Sequence, residues 1–446
     1  MTPPLTRRRF LARSGAAATS LLGTRVLVGM PAGDKLRLAT VGCGGMGGVD
    51  LGSIAGHPAV EVVALCDVDA NNLDHALKNK KCAAAKPFRD FRKMFDELGK
   101  EIDIVNVGTP DHMHAAVAMT ALQLGKHVYC QKPLTHDVYE ARKLAEVAKA
   151  KRLQTQMGIQ INSAREYRTA VRLVQDGAIG KIREVHSWSD KKWGFDGPRP
   201  EGADPVPAHL DWDLWLGTAP ARPYKNGLYH PANWRKWLDF GCGTMGDMSI
   251  HILDPVAGAL ALTHPKSIVS DSPEPPAESF ATKNKVRYTF PGTKYTVDPL
   301  PLTWYDGDAR PDASAWPMPK DDKGNTARLP GQGSMFVGEK GFLLLPHVGM
   351  PQLLPQDAFR DFAIPKVDGL NHWHQWVDAC RGKGTPTANF DYAGPLTEFV
   401  LLGVIANRVP GKTLAWNAAA LKIEGSAEAQ ALVKRTYRKG WDIQGL

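Results

Sequence analysis

The sequence predicts an N-terminal α/β domain with a doubly wound parallel sheet, followed by a second domain of the α+β class. Three observations support this prediction. Short β-rich runs alternate with helical stretches from residue 35 to about residue 160, a glycine-rich loop follows the first run, and residues 161–446 contain further β-rich runs with few helices between them. The length of 446 residues also exceeds that of one ordinary domain. We therefore expect one domain at 34–160 and another at 161–446.

The alternation in the first domain is regular. Strands separated by helices require right-handed crossovers, which place helices on both faces of a parallel sheet. The predicted strands are Lys35–Val41, Val60–Cys66, Ile102–Val107, His127–Cys130 and Gln154–Ile159, and the predicted helices are Val49–Ala55, Asn72–Lys80, Phe91–Leu98, Ala115–Leu124 and Val138–Ala150.

The second half begins with a helix, Ser163–Gln175, and a strand, Lys181–Ser189, in which apolar and polar residues alternate. Residues 304–334 are rich in Pro, Gly and Asp, which predicts a long surface insertion. Residues 391–407 predict an apolar helix that Gly394 and Pro395 precede or start. The later predicted strands are Ser267–Ser272, Lys285–Thr289, Tyr295–Val297, Met335–Val337 and Gly341–Leu345.

Composition excludes several classes of protein. Apolar residues make up 43% and charged residues 23%, which is typical of a globular protein with a buried core. We find no stretch of 18 uncharged apolar residues, so no membrane-spanning helix is expected. The net charge is +9, but residues 1–33 contain five arginines and no acid, and the remaining chain carries only +4. That charge argues against a nucleic-acid-binding protein.

The first 33 residues resemble an export signal. The run Thr6-Arg7-Arg8-Arg9-Phe10-Leu11 is similar to the twin-arginine motif, which a receptor recognises as an address. Residues 15–23 follow as a short, weakly apolar stretch that is too short to span a membrane. The alternative is a disordered basic tail. We expect a twin-arginine signal at 1–33 and a protein exported to the periplasm.

The glycine-rich loop Gly42-Cys43-Gly44-Gly45-Met46-Gly47 follows a strand and opens a helix, as a dinucleotide-binding fingerprint requires. Gly42 permits the tight turn, Gly44 lets the backbone approach a pyrophosphate, and Gly47 lets helix and strand pack closely. The N-terminus of the helix supplies N–H donors and the positive end of a dipole. The loop predicts a dinucleotide site.

Asp67 stands at the end of the second strand, twenty residues after Gly47. At this place a carboxylate binds the adenosine ribose hydroxyls and repels a 2′-phosphate. Val68 and Asp69 follow, so no adjacent arginine is available for that phosphate. The predicted cofactor is therefore NAD rather than NADP.

Three segments resemble the Gfo/Idh/MocA family, which includes glucose-fructose oxidoreductase and inositol dehydrogenase. They are Thr109-Pro110-Asp111-His112-Met113-His114, Gly125–Pro133 and Gly241–Asp254. The resemblance implies that the second domain holds one open, mostly antiparallel sheet, whose free face often makes the subunit contact. One position departs from the family pattern: Gln131 stands where the family usually has glutamate before the Lys-Pro pair.

Lys132 and a helix pair are the candidates for the chemistry. Lys132 follows a strand end, facing the crevice where parallel sheets bind ligands, and Pro133 keeps its backbone extended. The resemblance implies that Lys132 contacts both the cofactor and a substrate hydroxyl. Asp247 and His251 are four residues apart and share one face of a helix, so His251 can take the proton of a substrate hydroxyl. Asp247 can orient the substrate or raise the basicity of the imidazole. The alternative is a structural helix pair.

The predicted site residues form three groups. The catalytic residues are Lys132, Asp247 and His251. The cofactor-binding residues are Gly42, Gly44, Gly45, Met46, Gly47, Asp67, Thr109, Pro110, His114, Gln131 and Lys132, where the resemblance implies Thr109, Pro110 and His114. The substrate-binding residues are Lys132, Arg235, Asp247, His251, Tyr229 and His230, with His209 as a further polar candidate. The pairs His112-x-His114 and His372-x-His374 lack a third ligand at metal-site spacing, so no metal is expected.

The sequence therefore predicts an NAD-dependent oxidoreductase that acts on a CH–OH group of a sugar, inositol or related polyol. Export makes free NAD scarce, which favours an alternative: a glycoside hydrolase or lyase that oxidises the sugar transiently and returns the hydride. A third possibility is a non-catalytic binding protein, although the intact Lys132, Asp247 and His251 argue against it. The expected partners are a small carbohydrate or polyol and further copies of the chain, as a dimer or tetramer.

Overall fold

A computed structural model describes residues 35–320 and 324–446. The predicted export signal at 1–33 lies outside the described residues. No described helix combines the length and the apolar character needed to cross a membrane. All six cysteines are buried and free, including Cys43 and Cys66 beside the glycine loop, where burial raises the pKa of both thiols.

The N-terminal domain confirms the predicted doubly wound sheet. Its six strands are all parallel, in the order β3-β2-β1-β4-β5-β6. Helices follow the strands, and most residues of α4 are buried between the sheet and neighbouring elements. The elements are β1 (Leu36–Val41), α1 (Gly45–Ala55), β2 (Val60–Cys66), α2 (Ala70–Leu77), β3 (Lys86–Phe88), α3 (Phe91–Leu98), β4 (Ile104–Val107), α4 (Asp111–Gln123), β5 (His127–Gln131), α5 (Val138–Ala150) and β6 (Thr155–Gly158).

Several details of this domain differ from the prediction, including helix α2, which runs over Ala70–Leu77 instead of Asn72–Lys80, and strand β4, which begins at Ile104 instead of Ile102. Helix α1 begins at Gly45, because the end of the glycine loop already forms its first turn. Helix α4 begins at Asp111, so the segment Thr109–His114 is a helix start rather than a loop. Strand β3 was not predicted, since two of its three residues are exposed and the segment has no apolar alternation.

The second domain contains a nine-stranded sheet in the order β13-β12-β11-β7-β10-β9-β8-β14-β15. Only β7 and β10 run parallel, so the sheet is mostly antiparallel, as expected. The elements are α6 (Arg165–Gln175), β7 (Ile182–Ser189), α7 (Trp212–Leu216), α8 (Gly243–Ile252), α9 (Asp254–Leu260), β8 (Ser267–Ser270), β9 (Lys283–Phe290), β10 (Leu300–Gly307), β11 (Gly333–Gly338), β12 (Phe342–Pro346), β13 (Gln352–Leu354), α10 (His372–Cys380), α11 (Phe390–Arg408), β14 (Leu414–Asn417), β15 (Lys422–Glu424) and α12 (Ala427–Ala431).

Several boundaries in this half were wrong. Tyr295–Val297 is not a strand and makes only an isolated bridge between Thr296 and Ile182. The insertion spans 308–332, because Trp304 lies inside β10 and Ser334 inside β11. Pro395 lies within α11 rather than before it, and Asn389 caps the helix by accepting from the backbone N–H of Tyr392.

The two faces of the large sheet are covered differently. The inner face packs on α8 and α11 in the main apolar core. On the outer face, the described parts of the 308–332 segment, 308–320 and 324–332, fold back over strands β7, β10, β11, β12 and β13. The residues in this contact are Trp316, Met318 and Leu329 of the segment and Trp188, Tyr305, Met335, Leu344 and Leu354 of the sheet. The apolar part of the outer face is therefore buried by the chain itself.

Two segments of the second half cross onto the N-terminal domain. The 190–242 segment pairs with the end of β2: the backbone N–H of Ala70 donates to His209 O at 2.9 Å, and that of Asp211 donates to Val68 O at 2.9 Å. The 432–446 segment lies along α5, where the Arg435 guanidinium donates to Glu140 at 2.8 Å. These segments place residues of the second half against the carboxyl edge of the parallel sheet.

Candidate active site

A cavity of about 460 Å³ opens at the carboxyl end of the parallel sheet. It lies between β1 and β4, where the connections that follow these two strands run to opposite faces of the sheet. Open α/β sheets bind ligands at this point. The glycine loop, the ends of β2, β4 and β5, and the two crossing segments line it. Of the predicted cofactor residues, the cavity is lined by Gly42, Gly44, Gly45, Met46, Gly47, Asp67, Thr109, Pro110, His114, Gln131 and Lys132.

Two glycines of the loop have no room for a side chain, and a third has a backbone conformation that favours glycine. Gly42 has a φ of +88°, and a Cβ on it would lie 2.5 Å from Gly108 C. A Cβ on Gly47 would lie 2.2 Å from Gly42 O. Gly45, with a φ of +51°, has no atom within 4 Å of its would-be Cβ. The loop therefore offers bare backbone and the N-terminus of α1, which fits a dinucleotide pyrophosphate.

Asp67 is held at the edge of the cavity by three donors. Its carboxylate accepts from the backbone N–H of Cys43 at 2.8 Å and of Asp69 at 2.9 Å, and from Asn72 Nδ2 at 3.2 Å. Burial raises its pKa, and these donors oppose that shift. Since a carboxylate offers about four acceptor positions, Asp67 can still accept from a ribose hydroxyl.

Arg89 is a cavity residue that the sequence analysis missed. It follows β3, which pairs with β2, and this pairing brings it to the cavity wall beside Asp67. Its Nη2 donates to Val68 O and to His209 O, while its Nε is buried without a hydrogen-bond partner among the described residues. An arginine is thus present near the ribose position, although not adjacent to Asp67 in sequence.

We expect Asp67→Ala to weaken NAD binding by roughly 10- to 100-fold, because a charge-assisted hydrogen bond contributes about 1.5–3 kcal/mol. The affinity for NADP relative to NAD should rise, since the carboxylate that would repel a 2′-phosphate is then absent while Arg89 still lines the cavity. Fluorescence titration with NADH and NADPH measures both. Asp74→Ala, which removes the same charge from the exposed face of α2, is the control. An unchanged NADPH-to-NADH affinity ratio in Asp67→Ala would contradict the ribose contact.

Lys132 and Arg235 line the cavity, and both contact Asp247, which, like His251, is not one of the residues that line it. Lys132 Nζ donates to Asp247 Oδ1 at 2.6 Å and to Asp247 O at 3.1 Å, across the boundary between the two sheets. Arg235 Nε donates to the same Oδ1 at 3.1 Å. Burial by itself would raise the pKa of Asp247, but the charges of Lys132 and Arg235 hold it well below its usual range. The carboxylate is therefore ionised and fixes both cations.

His251 lies one turn after Asp247 on α8 and is 8% exposed. Its Nδ1 is buried without a partner, and no hydrogen bond joins it to Asp247 among the described residues. The carboxylate of Asp247 is engaged by Lys132 and Arg235, and its charge acts to raise the pKa of His251 without a hydrogen bond between them. Burial, with the nearby charge of Lys132, lowers the pKa of His251 well below 6.5. The imidazole is neutral and can accept a proton.

Thr109 and His114 support the cofactor end of the site. Thr109 Oγ1 is buried without a hydrogen-bond partner among the described residues, although the residue lines the cavity. An unpartnered hydroxyl at this position fits a ligand that supplies the missing bond. His114 lies between Pro133 O and Thr109 O, each 2.8 Å from a ring nitrogen, and burial lowers its pKa to about 4. It joins the start of α4 to the segment after Lys132.

Asp111 is a second residue that the sequence analysis did not select. It is the first residue of α4, 2% exposed, and it lines the cavity. Burial raises its pKa to about 7, while the charges of Arg235 and Lys132 oppose the shift and that of Asp247 adds to it. Asp111 belongs to the segment Thr109–His114 that resembles the family. Only the fold shows that Asp111 lines the same cavity as Lys132.

Asp111 is expected to make cofactor affinity depend on pH. As the pH rises through about 7, Asp111 ionises. Its charge attracts the cationic ring of NAD and not the neutral ring of NADH, which increases relative NAD affinity by roughly fivefold for an interaction of about 1 kcal/mol. Titrations between pH 6 and 8 should show this step, and Asp111→Asn should abolish it.

The matched control is Asp254→Asn. Burial also raises the pKa of Asp254 to about 7, but Asp254 accepts from Tyr392 and Asn162 and does not line this cavity. If Asp254→Asn removes the pH step and Asp111→Asn keeps it, Asp111 is not the group that titrates.

Three of the proposed substrate residues lie elsewhere than expected. Tyr229 is fully buried among Trp212, Trp215 and Trp237 and does not line the cavity, which is the position of a packing residue. The imidazoles of His209 and His230 both bind Asp69, at 2.8 and 2.9 Å. His230 lines the cavity, but at the end near Asp67. Arg235 is the residue of this group that joins the catalytic cluster.

Trp441 completes the cavity wall from the C-terminal side. It is 5% exposed, packs on Phe91, and lies under the Arg92 guanidinium at 4.2 Å from the ring centroid. Arg438 anchors the same segment to Asp213 and to Gly217 O. Nothing in the local sequence marks Trp441 as a site residue, because its role depends on the path of the 432–446 segment.

The paired histidines do not form a metal site. His112 Nε2 faces Trp215 O at 3.0 Å, and His372 contacts Met157 O and Ser163 Oγ. Within residues 35–320 and 324–446, no three His, Cys, Asp or Glu side chains converge as metal ligands.

Solved structures with the same fold cover most of this chain. An inositol dehydrogenase homologue from Azotobacter vinelandii, complexed with NADH and myo-inositol, covers 86% of this chain and 98% of its own, with a TM-score of 0.56 and 17% identity. The WlbA dehydrogenase from Bordetella pertussis, complexed with NADH and UDP-GlcNAcA, covers 86% and 99%, with a TM-score of 0.60 and 15% identity. At these identities the likeness establishes the fold alone.

Curated relatives match over shorter regions. A levoglucosan dehydrogenase from Pseudarthrobacter phenanthrenivorans is 24% identical over 37% of this chain and 34% of its own length. An inositol 2-dehydrogenase from Salmonella typhimurium is 30% identical over 34% and 45%. A glycosyl hydrolase family 109 protein from Shewanella pealeana is 24% identical over 40% of each. The chain thus matches less than half the length of these relatives.

Two models of one family match the chain in succession. The first, an oxidoreductase family with an NAD-binding Rossmann fold, matches residues 36–159. The second, the C-terminal α/β domain of the same oxidoreductase family, matches residues 167–298, and together they span more than half of the chain. The predictions of an oxidoreductase and of NAD as its cofactor are confirmed at this level. The chain belongs to the Gfo/Idh/MocA family of oxidoreductases.

Proposed function

We propose that the protein oxidises a CH–OH group of a sugar, an inositol or a related polyol. The observation that carries the proposal is the contact of Lys132, which lines the cavity, with an ionised Asp247 at 2.6 Å, together with a neutral His251 one turn further along α8. Relatives named as inositol and levoglucosan dehydrogenases support the substrate class.

The residues of the cluster have distinct parts in the reaction. Bound NAD supplies the hydride acceptor. Lys132 donates a hydrogen bond to the substrate oxygen and stabilises the negative charge that grows on it as the hydroxyl proton leaves. His251 is unprotonated across the neutral range and accepts that proton. Asp247 fixes Lys132 and Arg235, so the ammonium group is already in place before the substrate binds.

A second candidate is a glycosidase or lyase in which the hydride removed from the sugar is returned within the same turnover. The crossing segments favour it. Trp441 and residues of the 190–242 segment line the cavity, and a cavity covered in this way would slow the exchange of a bound dinucleotide. The relatives named as glycosyl hydrolase family 109 proteins also support it. The same three residues would perform the oxidation and its reversal.

One experiment separates the candidates. Purified protein is incubated with free polyols and sugars and with a panel of aryl glycosides, each with and without added NAD. Stoichiometric NADH formation from a polyol or sugar supports the dehydrogenase. Release of the aglycone without net NADH supports the glycosidase or lyase. Binding of substrates without either product would contradict both and favour a non-catalytic binding protein.

We also propose that the protein is exported by the twin-arginine route, on the basis of Arg7 and Arg8 in the leader. The receptor distinguishes arginine from lysine by geometry, so Arg7→Lys with Arg8→Lys should retain the protein in the cytoplasm. Fractionation of cells that express either form, with a periplasmic marker as control, measures this. A normal periplasmic amount of the double variant would refute the proposal.

A further inference from the structure

A buried carboxylate that takes no part in the reaction above lies behind the cavity. Asp50, in the second turn of α1, has no exposed surface. Its Oδ2 accepts from Gln131 Nε2 at 2.7 Å, and its Oδ1 accepts from Trp373 Nε1 at 2.8 Å and from the Tyr129 hydroxyl at 3.4 Å. All three partners are donors, so the arrangement matches an ionised, acceptor-only carboxylate.

Gln131 has little freedom between this carboxylate and the cavity. It pairs in register with Gly158 on β6, and a Cβ at Gly158 would lie 2.5 Å from Gln131 Nε2. Its Oε1 accepts from the backbone N–H of Lys132 at 3.3 Å. Because a carboxylate can accept only from the NH₂ end of an amide, Asp50 decides which end of Gln131 faces Lys132.

We propose that Asp50 is a positioning residue, which orients the amide of Gln131 and through it the backbone of Lys132. The family pattern usually has a negative charge at position 131. In this chain Asp50 carries a negative charge and contacts Gln131, which lines the cavity. Burial raises the pKa of Asp50 to about 6, with its three donors opposing the shift. The carboxylate is therefore ionised above about pH 6, and the orienting contact weakens as the pH falls through that value.

The geometry predicts that the carboxylate of Asp50 and the amide of Gln131 can change places, but that two carboxylates or two amides in these positions are unfavourable. Gln131→Glu places two buried carboxylates in the contact that now measures 2.7 Å, which is strongly unfavourable unless one takes a proton. Asp50→Asn leaves a single amide facing donors from Gln131 and Trp373, and one donor then loses its acceptor. In the double variant, the new amide at position 50 donates to the new carboxylate at position 131 and accepts from Trp373. The carboxylate at position 131 still accepts from the backbone N–H of Lys132.

The test is a double-mutant cycle on the full-length protein, with thermal unfolding and NADH affinity as first readouts. We expect each single variant to lower NADH affinity by roughly 10-fold, as expected when a buried hydrogen bond to a charge is lost. The double variant should return to within about threefold of the starting protein. Gln131→Glu should regain NADH affinity as the pH falls and one of the two facing carboxyl groups takes a proton.

Tyr129→Phe is the matched control, because it removes a donor from the same carboxylate and leaves the contact between Asp50 and Gln131 intact. It should lower the unfolding temperature without changing NADH affinity. A double variant no better than the worse single variant would overturn the proposal. So would a Tyr129→Phe variant that loses as much NADH affinity as Asp50→Asn.

Turnover is measured last, and this part rests on the proposed function. The kcat of the single variants should fall and that of the double variant should recover. Coupling in the affinity cycle without any turnover would contradict the proposed reaction and leave the role of Asp50 supported. Turnover that is unaffected in both single variants would contradict the role of Asp50 and leave the reaction supported.

Discussion

Lys132→Ala is expected to lower kcat by roughly 10²- to 10⁴-fold, the usual contribution of a positioned acid–base group. The ammonium group lies at 11% exposure in contact with Asp247, so its loss also leaves a buried carboxylate with Arg235 as its remaining cation. NAD affinity should change little, because the expected pyrophosphate and adenosine contacts lie at the glycine loop and Asp67 and not at Lys132. Steady-state kinetics on the substrate found in the panel, together with NADH titration, measures both quantities.

Asp247→Ala and His251→Ala are each expected to lower kcat by the same factor of roughly 10² to 10⁴. Double variants should lose less than the product of the single effects, since groups that act on one hydroxyl work as a unit. Because the pKa of His251 is lowered well below 6.5, the imidazole is already neutral above about pH 6.5. The titration of His251 should therefore not change kcat in that pH range. Near-normal turnover of folded His251→Ala would mean that the residue is structural.

Gly47→Ala is expected to reduce NAD affinity by roughly 100-fold or more. The new methyl group would lie 2.2 Å from Gly42 O and 3.0 Å from Gly108 O, so α1 must move away from the loop. Both close contacts are backbone atoms, which cannot rotate aside, and overpacking of this kind costs about 1–3 kcal/mol before any loss of ligand contacts. Titration with NADH and thermal unfolding with and without NADH measure the effect.

The same helix offers a control. Gly52 is exposed on α1, and a Cβ at this position meets no atom within 4 Å. Gly52→Ala should leave NAD affinity unchanged and stabilise the protein by about 0.5–1 kcal/mol, as alanine does in a helix interior. Equal losses of affinity in Gly47→Ala and Gly52→Ala would show that helix composition rather than the loop contact is responsible.

Local patterns were sufficient to predict most of the fold. Strand Val60–Cys66 and helices Phe91–Leu98 and Val138–Ala150 have the predicted bounds, because each has a clear periodicity and a capping or turn residue at its end. Strand β3, the edge strands β13 and β15, and β14 beside β15 are three or four residues long, too short for a periodic signal. Pairing with a neighbour, and not local preference, makes them strands.

The site was predictable where a motif keeps its residues together in sequence. The glycine loop and Asp67 are of this kind. Arg89, Asp111 and Trp441 reach the same cavity through strand pairing, a helix start and a crossing segment, which no local pattern reveals. The buried position of Tyr229 could not be predicted either. A polar aromatic residue near candidate site residues gives the same local pattern whether it binds a substrate or packs in a core.

The 308–332 segment has a consequence for self-association. Because it is attached at its two ends to strands β10 and β11 of the sheet, it acts as a tethered ligand with a high effective concentration at the outer face. A second copy could use that apolar face only by outcompeting a segment that is never free to diffuse away. A dimer or tetramer of this chain would therefore have to form through surfaces beyond the segment, and its stability should not depend on Trp316.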